Sequence, residues 1–329
     1  MSANTTSRCP TKRVKWPGNS FNKDGEMLTS TRENSQALES EWESVQETEG
    51  REKVLSVDCS NEAKLCRQLG ILSFPAIRLH SPDGKQNRYR GPRKSASILG
   101  FLQRTSRLVL SHVNGQNATS FQHIDDVVFI GYFPPNSKHL VESFTSLAHK
   151  YHDRFSFALA TGAQQKEQRQ PALNCYNNVD GMHRTTAELS GSSSIEAFIN
   201  LCSTPLIPEM TRRNELSFYE TRKSLVYYFV SNDRDREEYV AEMRPLAKKY
   251  EEYLHFVTAD MNEYADAIEM MGVKSGSRGL SVQNPNNGDI FPYTRKERIS
   301  ASTVEAFLVD IIQGKVQAWK PDGTTHDEL

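Results

Sequence analysis

Apolar positions first fall into helical spacing over 38–47, where Leu38, Trp42 and Val45 share one face. A short apolar run at 53–58 follows and reads as a strand. A short helix over 62–68 leads to a strand at Ala76–His80, the turn Ser81-Pro82-Asp83-Gly84 and a returning strand at 88–90. A helix over Ser95–Thr105, with Ile98, Leu99 and Leu102 on one face, closes the set. The order is α-β-α-β-β-α.

That order recurs twice downstream with an extra strand in front. The apolar run 127–133 is strand-like, Lys138–Tyr151 is a helix with Leu140, Phe144, Leu147 and Ala148 inward, and 155–160 is a second strand. The runs 225–230, 234–250 and Leu254–Asp260 repeat this unit about a hundred residues later, a separation that suits one domain per copy. The last copy continues with a helix at 263–271, a strand at 280–283, a turn at 284–289, a strand at 290–293 and a helix at 302–312. Breaks fall near 111–116 and 204–215. Strands alternating with helices imply βαβ crossovers, so the fold class is α/β, with mixed β-sheets flanked by helices.

Length and charge narrow the function classes. At roughly 100–200 residues per domain, 329 residues predict two or three domains. Forty Lys and Arg against 41 Asp and Glu give a net charge of −1, which leaves no basic excess for a phosphate backbone. Nucleic acid is excluded as a general partner. The longest apolar runs, 127–130 and 225–230, fall far short of the 18 or so residues of a membrane span, so membrane insertion is excluded too. The charge runs 233–238 and 248–252 mix both signs at helical spacing and read as solvated faces. No Gly-rich phosphate loop, Ser/His/Asp set or paired catalytic carboxylates stand out, and no cofactor is expected.

Cys9, Cys59, Cys66, Cys175 and Cys202 are too few for a disulfide-built scaffold, and no Cys-x-x-Cys or zinc-ligand spacing occurs. Cys9 precedes Pro10 in a polar leader. Cys175 and Cys202 fall in apolar strand-like and helical patterns, where buried inert thiols are the common outcome; their pairing is left open. His123, His139, His149, His152 and His183 show no ligand spacing, and no metal is expected. At the C-terminus His326-Asp327-Glu328-Leu329 form an endoplasmic-reticulum retrieval signal, which implies the lumen and a retrieval receptor as partner. The first 31 residues carry no apolar core of the kind a secretory signal needs, and the polar leader is expected to be disordered or a misplaced start.

The segment from Val57-Asp58-Cys59 to Lys64-Leu65-Cys66, followed by Leu69-Gly70-Ile71 and Ser73-Phe74-Pro75-Ala76-Ile77, strongly resembles the second half of a thioredoxin domain of the protein disulfide isomerase family. Gly91-Pro92-Arg93 before the last helix matches as well. The resemblance implies that Pro75 is the cis-proline facing the redox site and that Cys59 and Cys66 form a local, non-catalytic disulfide. The two later copies resemble the family's redox-silent b and b′ domains. The linking segment Leu201-Cys202-Ser203-Thr204-Pro205-Leu206-Ile207-Pro208-Glu209 and the later Phe291-Pro292-Tyr293 and Gly314-Lys315-Val316 are similar to family segments in the same order. The expected organisation is a leader at 1–35, a partial a-type domain lacking its first half at 36–106, a b-type domain at 107–208, a b′-type domain at 209–316 and a tail with the retrieval signal at 317–329.

The departures matter as much. Leu38 and Trp42 fit the helix that follows the family's Cys-x-x-Cys, which puts Arg32 and Ser35 at the two cysteine positions. Neither forms a thiolate. The strand expected before the motif is missing as well, because 22–31 is polar apart from Met27 and Leu28, so the first domain is expected to be incomplete or poorly ordered. The resemblance also places Phe218, Ala267, Ile268 and Met271 at or beside the b′ patch that holds unfolded clients, with completion of the core as the competing role. Met270 adds a flexible thioether there, Gly279 stands where a proline is usual, and Trp319 is either a fold-back cap or a lone tail aromatic. The resemblance therefore implies a role in protein folding in the reticulum. As the chain stands, without its Cys-x-x-Cys, a client-binding, chaperone-like protein is the expectation and isomerase activity is open. An active oxidoreductase carrying an upstream motif and a non-functional truncated gene product are the alternatives.

Overall fold

The computed structural model describes residues 26–31, 36–51, 53–72, 74–80, 86–161 and 170–320. The chain divides into two compact units, residues 1–203 and 204–329.

The first unit holds two sheets. One runs in the order β2 (Val54–Asp58), β1 (Glu26–Thr31), β3 (Ala76–His80), β4 (Gln86–Arg88), with β1 parallel to β2 and antiparallel to β3. Helix α1 (Gln36–Glu49) buries Leu38, Trp42 and Val45 against Ile77, Leu79 and, from α3 (Ser95–Thr105), Ile98 and Phe101. Helix α2 (Ala63–Gln68) covers a smaller cluster with Val57, Ile71 and Ala76.

The polar stretch expected to leave this sheet without a centre supplies β1 itself. A ladder requires backbone groups rather than apolar side chains, and β1 pairs five residues on each side. Polarity hid the strand from the periodicity. Thr29 within it is 1% exposed and its hydroxyl has no partner, a penalty of about 1–3 kcal/mol.

The second sheet runs β5 (Ser111–Val113), β7 (Ser156–Ala160), β6 (Val127–Tyr132), β8 (Ala172–Asn177), β9 (Met182–Thr186). Strand β5 occupies part of the stretch near 111–116 that the sequence presents as a break, and the short helix α4 (Ala118–Phe121) follows it. Helices α5 (Lys138–Tyr151) and α6 (Ser192–Ser203) pack on one face. Phe129 stacks on Phe157 at 5.3 Å, and Phe144 meets Phe157 edge-on at 5.7 Å, so the aromatic residues of sheet and helix fill one core. Cys175 on β8 and Cys202 on α6, open in the sequence reading, are joined by a disulfide inside it.

The second unit repeats the plan: β10 (Glu209–Met210), β12 (Leu254–Asp260), β11 (Ser224–Val230), β13 (Gly279–Gln283), β14 (Ile290–Pro292). Short helix α7 (Glu215–Glu220) and the turns of 261–272 lie on one face, α8 (Asp233–Lys249) and α9 (Ala301–Ile312) on the other. The Asn232 side chain accepts the Asp235 N–H at 2.9 Å to cap α8, and Ser300 with Thr303 forms a capping box on α9. The expected helix at 263–271 is a series of tight turns. Backbone bonds of the helical kind, such as Ile268 N–H to Tyr264 O, alternate with tighter ones such as Ala267 N–H to Tyr264 O.

Candidate functional site

Two places follow from the fold. The first is the segment that leads into β3. The Phe74–Pro75 peptide is cis and leads into β3, at the position the sequence assigned to it. Arg32 and Ser35 fall outside the described residues, immediately before α1. Cys59 and Cys66 are both buried and disulfide-bonded, with Cα atoms 5.8 Å apart. With Cys175–Cys202 also bridged, every cysteine among the described residues is oxidised. Thiol–disulfide exchange needs a thiolate that can attack, and the described residues supply none.

The second place is the face of the third sheet covered by α7 and 261–272. Strands β11 and β12 send Leu225, Tyr227, Phe229, Val257 and Ala259 to this side, and all four residues singled out in the sequence join that cluster. They are not equivalent. Ile268 is 1% and Met271 8% exposed, so both belong to the core, while Phe218 and Ala267 are half-buried at its edge. Phe218 meets the His255 ring edge-on at 5.8 Å. His255 lies 3.0 Å from Thr221 Oγ1, and burial first, then Lys223, holds its proton affinity below the ordinary range.

The apolar surface that remains accessible comes from other residues. Leu216 is 72% and Met270 55% exposed, and Tyr219, three residues after Leu216 on α7, is exposed as well. Leu216 and Tyr219 escaped the sequence reading because a six-residue helix gives too few turns for a periodic signal. A polar network fixes the surface from below. Tyr264 donates to Glu215 Oε2 at 3.0 Å beneath the Arg212 guanidinium, which sits 4.3 Å from the ring centre. The Tyr219 and Tyr227 hydroxyls are 3.0 Å apart, and Tyr227 donates to Gln283 at 2.9 Å. Burial pushes the Tyr227 and Tyr264 hydroxyls well above the ordinary phenol range, so both remain neutral donors.

One end of this face is closed by the chain beyond α9. The Trp319 backbone N–H donates to Ile290 O at 2.8 Å, and a Cβ at Gly272 would meet the Trp319 ring at 3.1 Å and Pro292 at 2.7 Å. Of the two roles open in the sequence, Trp319 takes the fold-back one. Gly272 also has φ +69°, so both conformation and space require glycine there. Gly279 opens β13 in register with Phe229, and a Cβ at Gly279 would meet Val273 at 2.6 Å.

On the opposite face of the same sheet, a cleft of about 640 Å³ is lined by Tyr228, Tyr239, Lys296 and two ion pairs, Arg278–Asp235 and Arg298–Glu242, each 3.2 Å. Its charges are largely matched internally. Among the described residues no group of His, Cys, Asp or Glu is arranged to hold a metal, and no helix is long and apolar enough to cross a membrane. The retrieval tetrapeptide His326–Leu329 lies outside the described residues.

A family model described as thioredoxin-like domain matches residues 133–310, and one described as thioredoxin matches 34–104. The protein disulfide-isomerase of Aspergillus niger is 25% identical over 275 residues, covering 80% of this chain and 52% of that protein. The protein disulfide-isomerase of Humicola insolens is 25% identical over 287 residues, with 85% and 57% covered. The chain thus spans little more than half the length of these curated relatives. Among solved structures, human ERp44 form II aligns over 89% of this chain and 84% of that one, at 16% identity and a TM-score of 0.37.

Proposed function

The chain belongs to the thioredoxin-fold family of the protein disulfide isomerases, and from that premise we propose that it assists protein folding in the endoplasmic-reticulum lumen as a redox-silent, client-binding member. One observation carries the reading: the described residues keep the fold and an accessible apolar face while holding every cysteine in a disulfide. Leu216, Phe218, Tyr219 and Met270 supply aromatic and thioether contact area that adapts to varied partners, and Ala267, Ile268 and Met271 form the floor beneath it. Arg32 and Ser35 stand at the redox positions, where neither side chain can form a mixed disulfide. His326-Asp327-Glu328-Leu329 direct retrieval to the lumen through their receptor.

An active oxidoreductase is the second reading. It is favoured by the names of the curated relatives and by their greater length, which leaves room for a Cys-x-x-Cys in sequence upstream.

Two assays on the purified full chain separate them. Suppression of aggregation of a chemically unfolded client, with no turnover of insulin disulfides, is the expected pair of results. Insulin reduction that disappears on thiol alkylation would overturn the redox-silent reading, and failure to slow aggregation at stoichiometric excess would overturn client binding.

A further inference from the structure

We propose that the apolar face between α7 and residues 261–272 selects client segments in which an apolar side chain is flanked by Lys or Arg. The inference rests on the client-binding reading and adds the class of segment bound. Over 211–220 and 261–272 the sequence places Glu215, Glu220, Glu263, Asp266 and Glu269 against Arg212 and Arg213, five acids to two bases, an excess of three negative charges. Arg212 is already committed among those acids. Its backbone N–H donates to Glu263 at 2.8 Å, its guanidinium is bound to Asp266, and Glu215 lies 3.5 Å away. Glu220 and Glu269 are exposed. Glu220 sits one turn along α7 from Leu216, and Glu269 adjoins Met270, the two most exposed apolar side chains of the face.

Of the cations nearest in sequence, Arg222 is exposed two residues beyond Glu220 and reduces the local excess to two negative charges, whereas Lys223, Lys274 and Lys320 are placed elsewhere. Lys223 donates to Glu251 O at 2.8 Å, and Lys274 and Lys320 flank Gly272 and Trp319, at the end of the face that the tail closes. An incoming segment therefore meets accessible apolar surface within an acidic surround. Exposed charges within a Debye length of about 8–10 Å add to the attraction for a cation and oppose an anion.

The test uses the full chain and fluorescent peptides that share one Phe/Leu core and differ only in flanking Lys, Ser or Glu. At low salt the Lys-flanked peptide is expected to bind about three- to tenfold more tightly than the Ser-flanked one and the Glu-flanked peptide more weakly, with the series converging above 0.3 M salt, as exposed pairs predict. The double variant E220Q/E269Q, which disturbs no hydrogen bond described above, is expected to shrink the Lys preference. Equal affinities for the three peptides, or a Glu preference, would overturn the charge inference while leaving client binding standing. No binding of any peptide would overturn both. A Lys preference that persists unchanged in E220Q/E269Q and at high salt would also overturn the proposal, because it would place the selectivity elsewhere.

Discussion

Arg104 on α3 and Asp125 just before β6 form a two-pronged ion pair, with Nε and Nη2 donating to the two carboxylate oxygens at 2.6 and 2.8 Å. The pair ties the first sheet of the first unit to the second. Arg104 Nη1 also donates to Asp153 O at 3.0 Å, and Ser156 Oγ donates to Asp125 at 2.7 Å, so the remaining polar atoms have partners. The two side chains are only 9% and 4% exposed. Removing one partner leaves the other as an unpaired buried charge, which costs about 3–5 kcal/mol. Arg104→Ala and Asp125→Ala are each expected to lower the stability of the first unit by that order in urea unfolding. A loss under about 1 kcal/mol in both would mean that the pair is solvated and does not join the sheets.

The Cys175–Cys202 bridge closes a loop with a sequence separation of 27, against 7 for Cys59–Cys66. In the chain-entropy account the longer loop stabilises by about 3–4 kcal/mol and the shorter by about 2–3. Cys175→Ala/Cys202→Ala is therefore expected to lower the unfolding midpoint more than Cys59→Ala/Cys66→Ala. Burial of both sulfurs also predicts that dithiothreitol reduces Cys175–Cys202 only under conditions that open the core. Prompt reduction in native buffer, followed by mass spectrometry of alkylated peptides, would contradict this placement.

His80, His152 and His255 are each held below the ordinary imidazole value, chiefly by burial, with Arg78, Arg104 and Lys223 respectively adding to the effect. Their folded forms take up protons less readily than the unfolded chain, whose imidazoles titrate near 6.5. The stability is complete above that value and falls as pH drops from about 6.5 through the folded values, where the unfolded state binds more protons. The carboxylates Glu41, Glu196, Glu305 and Asp310 are depressed by hydrogen bonds, to Ser95, Lys150, Lys249 and Arg295 in turn, and lose their contribution only in a more acidic window, below about 4.5. Urea midpoints at pH 7.5, 6.5 and 5.5 are expected to decline stepwise. A midpoint that rises over this range would refute the assignment.

Periodicity revealed most of the long elements of all three sheets, and four of them, Ala76–His80, Ser95–Thr105, Lys138–Tyr151 and Leu254–Asp260, with their end residues. It failed where elements are short or polar. Strand β10 has two residues and β5 three, so neither generates an alternation, and the polar β1 is specified by its neighbours' ladders rather than by its own side chains. The candidate site was legible to the level of the face and not of its surface. Family resemblance pointed to Ile268 and Met271 at or beside a client patch, with the core as the competing role; both are buried in this cluster, and which side of the turns they occupy depends on the irregular backbone of 261–272.

That distinction separates stability from affinity. Met271→Ala removes a buried side chain and is expected to cost about 2–5 kcal/mol, with peptide affinity per folded molecule unchanged. Met270→Gln leaves the core intact and is expected to weaken peptide binding with little change in unfolding midpoint. The reverse pattern, measured on both variants by chemical unfolding and fluorescence titration, would place the contact surface on the other side of the turns.

Trp319 supplies the last prediction, because its position joins the tail to the accessible face. The backbone bond to Ile290 fixes the segment along β14, and the ring then lies against Gly272 and Pro292, where it occludes apolar surface next to the cluster containing Met271 and Val273. A client that uses this end of the face competes with the ring, so the observed affinity is reduced by the fraction of molecules in which the tail is closed. Trp319→Ala keeps the backbone bond available and removes the ring. It is expected to raise apolar-peptide affinity by about two- to tenfold, corresponding to a closed state favoured by about 1 kcal/mol. Gly272→Ala should act in the same direction with a larger loss of stability, since a Cβ there displaces the ring, meets Pro292 and strains a backbone at φ +69°. Unchanged peptide affinity in Trp319→Ala, together with an unfolding midpoint lowered by several degrees, would identify the tryptophan as part of the fold's core rather than a cover over the client-binding face.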